Sequence, residues 1–298
     1  MSIDTTKNPD FEVVSLKRNP SSPRTLFGLI MSGIAGLFTL LAIIPLFVIL
    51  TYLLTKGISS LSASVFTELP PPPMVEGGGF GNAILGTVIM VGIGALISVP
   101  IGVMAAIYLS EFNEGKAAEW IRFATNVLSG VPSIIVGVFA YSAIVLTTKE
   151  YSAWAGGFAL AILMLPIIVR TTDESLKLVP QEVRQASVGV GANQYQTVLQ
   201  VVLPAALPAI ITGVTLSIAR AAGETAPLLF TALFTQYWPN WDNLLVEPTA
   251  SLAVLVYNFA IVPFKNQQDL AWGAAFILVV LVLITSIISR VATSKRTY

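Results

Sequence analysis

The chain has 298 residues, with 16 basic and 16 acidic side chains, 55% hydrophobic residues and only 11% charged residues. An average soluble domain carries about 25% charged residues, so this chain lacks the polar surface that a water-soluble globule of its size requires. Six membrane spans of about 20 to 25 residues each would account for the composition. The composition therefore excludes a two-domain soluble protein and predicts an integral membrane protein.

The sequence contains no cysteine and no histidine, and this excludes several kinds of chemistry. A thiolate nucleophile, a Ser-His-Asp triad, a zinc site of the HExxH type and iron ligation by these side chains all require one of the two residues. The formal net charge is zero, whereas proteins that bind nucleic acid carry clustered, excess Lys and Arg. We therefore expect no metal site, no catalytic site of these kinds and no nucleic-acid partner.

The chain begins with a polar segment, residues 1–25, which is rich in Ser, Asn, Pro and Lys and is predicted to be a disordered arm. The first apolar run follows over residues 26–54. This run is too long for the apolar core of a signal peptide, and no small-residue cleavage pattern closes it. It is therefore predicted to be the first membrane span.

Further apolar runs complete a predicted all-α, polytopic membrane domain over residues 26–298. The fourth span is short, and the fifth is long and contains Gly223 and Pro227, where a membrane helix can kink or break. The predicted spans after the first are 83–109, 123–146, 153–169, 204–234 and 271–288.

The apolar segment 250–263 is too short to cross the hydrocarbon core, which requires about 20 residues, so we expect an interfacial or re-entrant helix there. With six spans, most Lys and Arg residues fall on one side of the membrane, and the positive-inside rule makes that side the cytoplasm, with both termini. The opposite side holds Lys56, Lys149 and Lys265. The predicted cytoplasmic residues are Lys7, Lys17, Arg18, Arg24, Lys116, Arg122, Arg170, Lys177, Arg184, Arg290, Lys295 and Arg296.

Two charged side chains fall inside the fifth predicted span, in the segment RAAGETAP that begins at Arg220. An Arg in the middle of a membrane helix costs at least about 2.5 to 3.5 kcal/mol, so it requires a partner or a polar cavity. Glu224 follows four residues later on the same helix face and can pair with it, and Thr225 adds a hydroxyl nearby. The pair either fixes helix packing or lies on a substrate path, where an incoming oxyanion would replace the carboxylate.

The loop between the fourth and fifth spans, about 178–204, is expected to contain a short helix. Pro180 suits a first helical position and the glycines that follow suit a helix end, so this helix is predicted to end near Gly189. The pattern is similar to the EAA loop of ABC-importer permeases, which forms the coupling helix that docks on the ATPase. Gln185, Ala186 and Ser187 stand at the Glu-Ala-Ala positions, Gly191 at the glycine, Val201 at the aliphatic position, and Leu203 and Pro204 at the Leu-Pro pair.

This resemblance implies an ATPase-coupling role for the short helix and the turn after it. Gln185 replaces the acidic residue of the motif, which removes any salt bridge made by that side chain but not the docking helix itself. The residues to which the resemblance assigns coupling are Glu182, Arg184, Gln185, Ala186, Ser187 and Gly191.

Other stretches narrow the resemblance to A-type permease subunits of phosphate-specific ABC importers, a family of MetI-like permeases. The similar stretches are GVMAAIYLSEF at 102–112, GVPS at 130–133, VRTT at 169–172 and RAAGETAPLLFT at 220–231. The resemblance covers about residues 80–298. It implies an inner-membrane permease that moves inorganic phosphate into the cytoplasm, with Arg220, Glu224 and Thr225 on the phosphate path. Arg170 is either a positive-inside anchor or a second anion contact.

The resemblance also implies partners. A periplasmic phosphate-binding protein would deliver phosphate, a paralogous permease subunit of the PstC type would complete the pore, and two ATPase subunits of the PstB type would bind the coupling helices. ATP and Mg would be held by those subunits, because this chain has no Gly-x-x-x-x-Gly-Lys-Ser/Thr loop. The chain itself is therefore expected to be a transport subunit in contact with lipid, without enzymatic activity or a cofactor of its own.

Three alternatives stay open at this point. The same architecture could carry another oxyanion, such as sulfate, molybdate or phosphonate. An ion-gradient-driven carrier would usually show an internally repeated half and unpaired intramembrane carboxylates or histidines, and neither is evident in the sequence. An intramembrane hydrolase would have to use a Ser-Lys arrangement, because histidine and cysteine are absent.

Overall fold

A computed structural model describes residues 22–112, 115–243 and 245–294 of the chain. Within these ranges the secondary structure is helical, and the described residues include no β-strand. The chain divides into two units, the first ending at Tyr52 and the second beginning at Leu53. The predicted disordered arm, 1–25, lies outside the described residues except for its last four, and the first helix begins within those four.

The first helix, α1, extends over Pro23–Ser59 and is longer than the span predicted for 26–54. Proline is favoured at the first helical position because its φ angle is already helical and its missing N–H would lack a partner there. From Leu26 to Leu50 the large apolar side chains of α1 are exposed, as expected of a helix surrounded by lipid or by other subunits.

Two long helices form the core of the second unit. Helix α3 covers Gly81–Ile107 and continues as a π-helical turn, Tyr108–Phe112, while α7 covers Ala153–Lys177. Helix α7 extends eight residues beyond the predicted span, 153–169. The span prediction stops where charged residues begin, but the helix continues because these charges pair along its surface at i,i+4 spacing.

Glycines allow α3 and α7 to pack closely and parallel to each other. Gly94 of α3 contacts Leu160, and two turns later Gly102 contacts Ile168, so both helices run in the same direction. A Cβ atom added to Gly157 of α7 would lie 2.5 Å from the Cβ atom of Ile93. Small residues of this kind are typical of membrane helix interfaces, because they let two backbones approach within reach of strong dispersion contacts.

The third predicted span, 123–146, is not one straight helix. Helix α4 (Lys116–Gly130) is followed by α5 (Ser133–Ala140), a π-helical turn (Tyr141–Val145) and α6 (Leu146–Thr148), and the two halves are bent by 106°. The bend lies at Val131 and Pro132, both in extended backbone conformations. Proline excludes its preceding residue from the helical region, which the apolar pattern alone does not reveal. Among the described residues, five helices are long and apolar enough to cross a membrane, and six spans result if the bent pair counts as one.

The fifth predicted span, 204–234, is broken in the segment where Gly223 and Pro227 predicted either a kink or a break. A short helix α9 (Gln194–Thr197) leads through a π-helical turn (Val198–Val202) into α10 (Leu203–Ala222), and α11 (Ala226–Thr231) follows after a gap of three residues. The start of α11 packs closely against α5, because a Cβ atom added to Gly137 would lie 2.6 Å from the Cα atom of Pro227.

The remaining helices are α2 (Ser64–Thr67), α8 (Gln181–Gly189), α12 (Leu252–Ala260) and α13 (Lys265–Ser294). Helix α12 lies in the apolar segment 250–263. Its nine residues span about 13 Å, too little to cross the hydrocarbon core, in agreement with an interfacial or re-entrant helix. The Ser251 hydroxyl caps the helix, and the Thr87 hydroxyl accepts a hydrogen bond from the Leu252 backbone N–H at 2.9 Å.

The close approach of α3 and α7 generates a test with a matched control. Gly157→Ala is expected to destabilise the protein by about 1 to 3 kcal/mol, because the added methyl group overlaps Ile93. Gly92→Ala, in the facing helix α3 and with nothing within 4 Å of an added Cβ atom, should be neutral or slightly stabilising because alanine favours the helix. Thermal unfolding of the detergent-solubilised proteins measures the difference. Equal midpoints for the two variants would contradict the packing.

Candidate functional site

Helix α10 carries Arg220 to the middle level of the core. Gly213 of α10 lies beside the end of α7, because a Cβ atom added to it would lie 2.2 Å from the Thr171 hydroxyl oxygen. At the start of α7, the Ser152 backbone N–H donates to the carbonyl of Thr231 in α11 at 3.0 Å. The segment from α10 to α11 is therefore antiparallel to α7. Arg220 lies about 10 Å beyond Gly213 along α10, which corresponds to the middle third of α7.

Arg220 and Glu224 form an ion pair across the helix break. The backbone N–H groups of Gly223 and Glu224 bond back to the carbonyls of Arg220 and Ala221 at 3.1 and 3.2 Å, so the chain makes one more tight turn after α10. This turn keeps the two side chains together, and Arg220 Nε donates to Glu224 Oε1 at 3.4 Å. Thr225 follows directly and precedes α11, as the sequence had placed it.

The two members of the pair differ in exposure. The side chain of Arg220 is 62% exposed in this chain, whereas that of Glu224 is 16% exposed. An ion pair whose role is only to hold helices together would bury the guanidinium as well. An exposed guanidinium at this level is costly against lipid, so its face must meet a polar cavity or a polar partner surface. This exposure is compatible with the predicted substrate path, which stays a prediction.

Arg170 belongs to a different cluster, near the end of α7. Its Nε donates to Glu174 Oε1 at 3.0 Å, and one turn away Lys177 pairs with Asp173 at 2.5 Å. These side chains and Arg122 line a cavity of about 380 Å³. The second carboxylate oxygen of Asp173 is buried without a hydrogen-bond partner among the described residues. Each of the two arginines that the sequence nominated for the substrate path, Arg170 and Arg220, thus pairs with a glutamate on its own segment.

In the loop predicted to couple to an ATPase, one face of α8 is exposed. The helix covers Gln181–Gly189 and so confirms the predicted short helix and its end. Glu182, Gln185 and Ala186 are exposed, and so are apolar side chains at Val188 and at Val190 after the helix. An exposed surface of mixed polar and apolar character is suited to docking on another protein.

Two other residues nominated for coupling lie on the inner side of the loop. Ser187 is buried, and its hydroxyl is 3.0 Å from the hydroxyl of Thr197. Arg184 is largely buried and forms an ion pair with Glu111, 2.8 Å between Nη2 and Oε1. These contacts link α8 to the rest of the chain rather than to a surface. Glu111 was not nominated from the sequence as a site residue, although it lies in the stretch GVMAAIYLSEF, and a carboxylate at the end of an apolar run is the signal that could have identified it.

Gly191 ends the docking segment in a left-handed conformation, with φ +96°. Its backbone N–H donates to the Val188 carbonyl at 2.9 Å, and the Ala192 N–H donates to the Ser187 carbonyl at 3.2 Å, so the turn closes the open end of α8. The spacing noted in the sequence thus places glycine where a side chain would be strained.

Among the residues that the structure describes, no group of three or more acidic side chains could hold a metal ion. The arrangement offers an exposed guanidinium paired with a carboxylate and, separately, a short helix with an exposed face.

Comparison with known proteins identifies the class. Residues 98–296 match the family described as "Binding-protein-dependent transport system inner membrane component". The chain belongs to this family, whose members are multi-pass inner-membrane subunits of transport systems and not enzymes.

Curated relatives narrow the family further. The chain is 43% identical over 262 residues to the phosphate transport system permease protein PstA of Haemophilus influenzae, covering 88% of this chain and 92% of the relative. It is 41% identical over 243 residues to the PstA protein of Yersinia pestis, 81% of both chains. It is 35% identical over 286 residues to PstA 1 of Mycobacterium tuberculosis, 92% of this chain and 93% of that protein.

Solved structures confirm the predicted fold class, a MetI-like ABC permease. The MetNI methionine ABC transporter in an inward-facing conformation aligns with a TM-score of 0.61 and 19% identity over 72% of this chain and 95% of that chain. A bacterial alginate ABC transporter, in complex with its alginate-bound periplasmic protein, aligns with a TM-score of 0.61 and 12% identity over 91% and 96% of the two chains. At these identities the likeness concerns the fold alone.

The conformation of Gly191 generates a prediction about the loop. Gly191→Ala should destabilise the turn after α8 by about 1 to 2 kcal/mol, because a side chain is strained in the left-handed region. Gly189→Ala is the matched control, since Gly189 is helical and an added Cβ atom there meets nothing within 4 Å. Hydrogen exchange of residues 181–197 measures the effect. Faster exchange in both variants, or in neither, would contradict the assignment.

Proposed function

We propose that this chain is the A-type permease subunit of an ATP-driven importer that carries inorganic phosphate across the inner membrane into the cytoplasm. The support for the substrate comes from relatives named as PstA phosphate permeases, which are 40% identical or more over most of their length. The support for the path comes from one observation, the exposed Arg220 guanidinium at the middle level of the core, paired with Glu224.

The partners follow from this proposal. A periplasmic phosphate-binding protein delivers the substrate, a PstC-type permease subunit supplies the other half of the pore, and two PstB-type ATPase subunits bind the coupling helices. ATP and Mg belong to the ATPase subunits, since the sequence of this chain has no nucleotide-binding loop of the Gly-x-x-x-x-Gly-Lys-Ser/Thr type. The docking surface is the exposed face of α8.

The proposed orientation puts the α8 end of the second unit, and both termini, in the cytoplasm. The basic residues Arg122, Arg170, Lys177 and Arg184 lie at the α8 end, whereas Lys56 lies in the last turn of α1, Lys149 directly follows α6 and Lys265 begins α13. This asymmetry satisfies the positive-inside rule.

In the proposed mechanism, phosphate replaces the Glu224 carboxylate as the partner of Arg220. A planar guanidinium can bind an oxyanion through two parallel hydrogen bonds, which are stronger than the single 3.4 Å contact it makes with Glu224. After phosphate leaves, Glu224 pairs with the arginine again, so that no unpaired charge remains in the membrane. The returning carboxylate also limits how tightly phosphate is held, which a transport path requires. Arg170 is proposed as a second, weaker anion contact near the cytoplasmic end, and Thr225 as a hydroxyl contact beside the pair.

Removal of the Arg220 charge tests the path. Arg220→Gln should reduce phosphate uptake by about 10- to 100-fold or abolish it, because a charge-assisted hydrogen bond is worth about 1.5 to 3 kcal/mol. Lys116→Gln, which removes an exposed positive charge at the first residue of α4, is the control and should transport normally. Uptake of radiolabelled phosphate into proteoliposomes that contain the whole complex is the measurement, with sulfate as competitor to check selectivity. Normal uptake by Arg220→Gln in an assembled complex would exclude the proposed path.

Charge reversal on α8 tests the docking surface. Glu182→Lys should weaken the binding of the ATPase subunits, because Glu182 is exposed on the face proposed to contact them. Glu119→Lys, at an exposed position of α4, makes the same charge change outside the docking face. Co-purification of the ATPase subunits with each variant gives the result. Equal recovery with both variants would place the docking surface elsewhere.

A further inference from the structure

Arg184 and Glu111 connect two segments that are 73 residues apart in the sequence. Arg184 Nη2 is 2.8 Å from Glu111 Oε1, and Arg184 Nε is 3.3 Å from Glu111 Oε2, so the guanidinium binds both carboxylate oxygens. The side chains are only 15% and 8% exposed. It joins separate helical segments, whereas the pairs Arg170–Glu174, Lys177–Asp173 and Arg220–Glu224 each join residues four apart.

The same guanidinium also binds the end of α7. Arg184 Nη2 donates to the Leu176 carbonyl at 2.9 Å, and Nη1 donates to the Val179 carbonyl. Carbonyls at a helix end have no partner within the helix, so a cation at this position satisfies them and matches the helix dipole. One side chain of α8 therefore binds the last turns of both α3 and α7.

A second contact ties the other side of the loop to the same turn of α3. Gln194, the first residue of α9, donates from its side-chain amide to the Glu111 carbonyl at 2.6 Å. The rings of Phe112 and Tyr195 lie 5.0 Å apart between centroids. The π-helical turn Tyr108–Phe112 is thus held from α8, before Gly191, and from α9, after it.

We propose that the Arg184–Glu111 pair transmits movement of α8 to α3, and that both are positioning residues for energy coupling. This inference rests on the proposed function, in which ATPase subunits dock on α8. Through the backbone, α8 is continuous only with α7 on one side and with α9 and α10 on the other. The Arg184–Glu111 pair also connects α8 to α3, and α3 packs on α7 through the glycine contacts. A displacement of α8 therefore moves α3 and α7 together instead of bending the short linker after α7.

Burial separates this pair from ordinary surface pairs. An exposed i,i+4 pair such as Arg170–Glu174 contributes little and breaks easily. A largely buried, bidentate pair resists separation, because either partner alone would leave an uncompensated charge in a poorly solvated site. The contact is therefore suited to carry a displacement without opening.

Neutralising the carboxylate tests the transmission. In the complete importer with ATPase subunits and binding protein in proteoliposomes, Glu111→Gln should leave assembly and basal ATP hydrolysis in place. The number of ATP molecules hydrolysed per phosphate imported should rise about threefold or more, in the range by which single substitutions alter coupling between sites. Glu119→Gln, which neutralises an exposed carboxylate of α4, should leave the ratio unchanged. An unchanged ratio in an assembled Glu111→Gln complex overturns the inference.

A cross-link provides the second test, which does not depend on a destabilising substitution. This chain contains no cysteine, so Phe112→Cys with Tyr195→Cys introduces one unique thiol pair in it. If the end of α3 moves together with the coupling loop, joining the two thiols with a short bifunctional reagent should leave phosphate uptake within about twofold of the uncross-linked double variant. With a bis-methanethiosulfonate as the reagent, which forms a reducible disulfide with each thiol, loss of uptake on cross-linking and recovery on reduction would show that the segments separate during transport and would overturn the inference.

The outcomes distinguish this inference from the proposed function. If the unmodified complex shows no phosphate-dependent stimulation of ATP hydrolysis, the proposed function itself fails. If the unmodified complex couples hydrolysis to uptake and Glu111→Gln does so equally well, only the transmission through Arg184 and Glu111 fails.

Discussion

The close parallel packing of α3 on α7 is the contact on which the rest of the second unit depends. Lipid chains are as apolar as leucine, so two membrane helices gain little from hydrophobic burial and are held by dispersion contacts at short range. Gly94, Gly102 and Gly157 permit that range. Helix α11 packs near the start of α7, the end of α10 lies beside its middle, and Arg184 donates a hydrogen bond to a carbonyl in its last turns. Both the candidate path and the coupling loop therefore take their positions from one helix pair.

Two of the helical segments packed around α3 and α7 are broken. A break leaves backbone N–H and C=O groups without helical partners at membrane depth, whereas a continuous helix bonds these groups internally. The chain turns sharply at Val131–Pro132, and α10 stops three residues before α11 begins. Free backbone groups at membrane depth are tolerated only where protein or water satisfies them. The contact of Gly137 with Pro227 brings the two interruptions together. Arg220 and Glu224 lie at the second of these interruptions, between α10 and α11.

The sequence predicted features that depend on neighbours in the chain. A kink or break at Gly223 and Pro227, the short helix ending at Gly189, and the pairing of Arg220 with Glu224 all follow from local rules of backbone and helix geometry, and only the choice of a break over a kink required the structure. The sharp bend at Pro132 was missed, because an apolar run has the same pattern whether it is straight or folded back. The inward orientation of Arg184 was also missed. On its own helix Arg184 has no partner of opposite charge, and the carboxylate it binds lies 73 residues away, so only the tertiary structure identifies the pair.

The ion pair at Arg220 also determines the electrical state of the proposed path. With Glu224 bound to Arg220 the empty site is neutral, whereas a phosphate dianion that displaces the carboxylate leaves two net negative charges there. A membrane potential that is negative inside opposes the inward movement of each negative charge by about 2.3 kcal/mol per 100 mV. The loaded site cannot therefore discharge into the cytoplasm by following the electrical gradient. An importer built on this pair requires an external source of free energy whenever it accumulates phosphate against this potential, in agreement with an ATP-driven system.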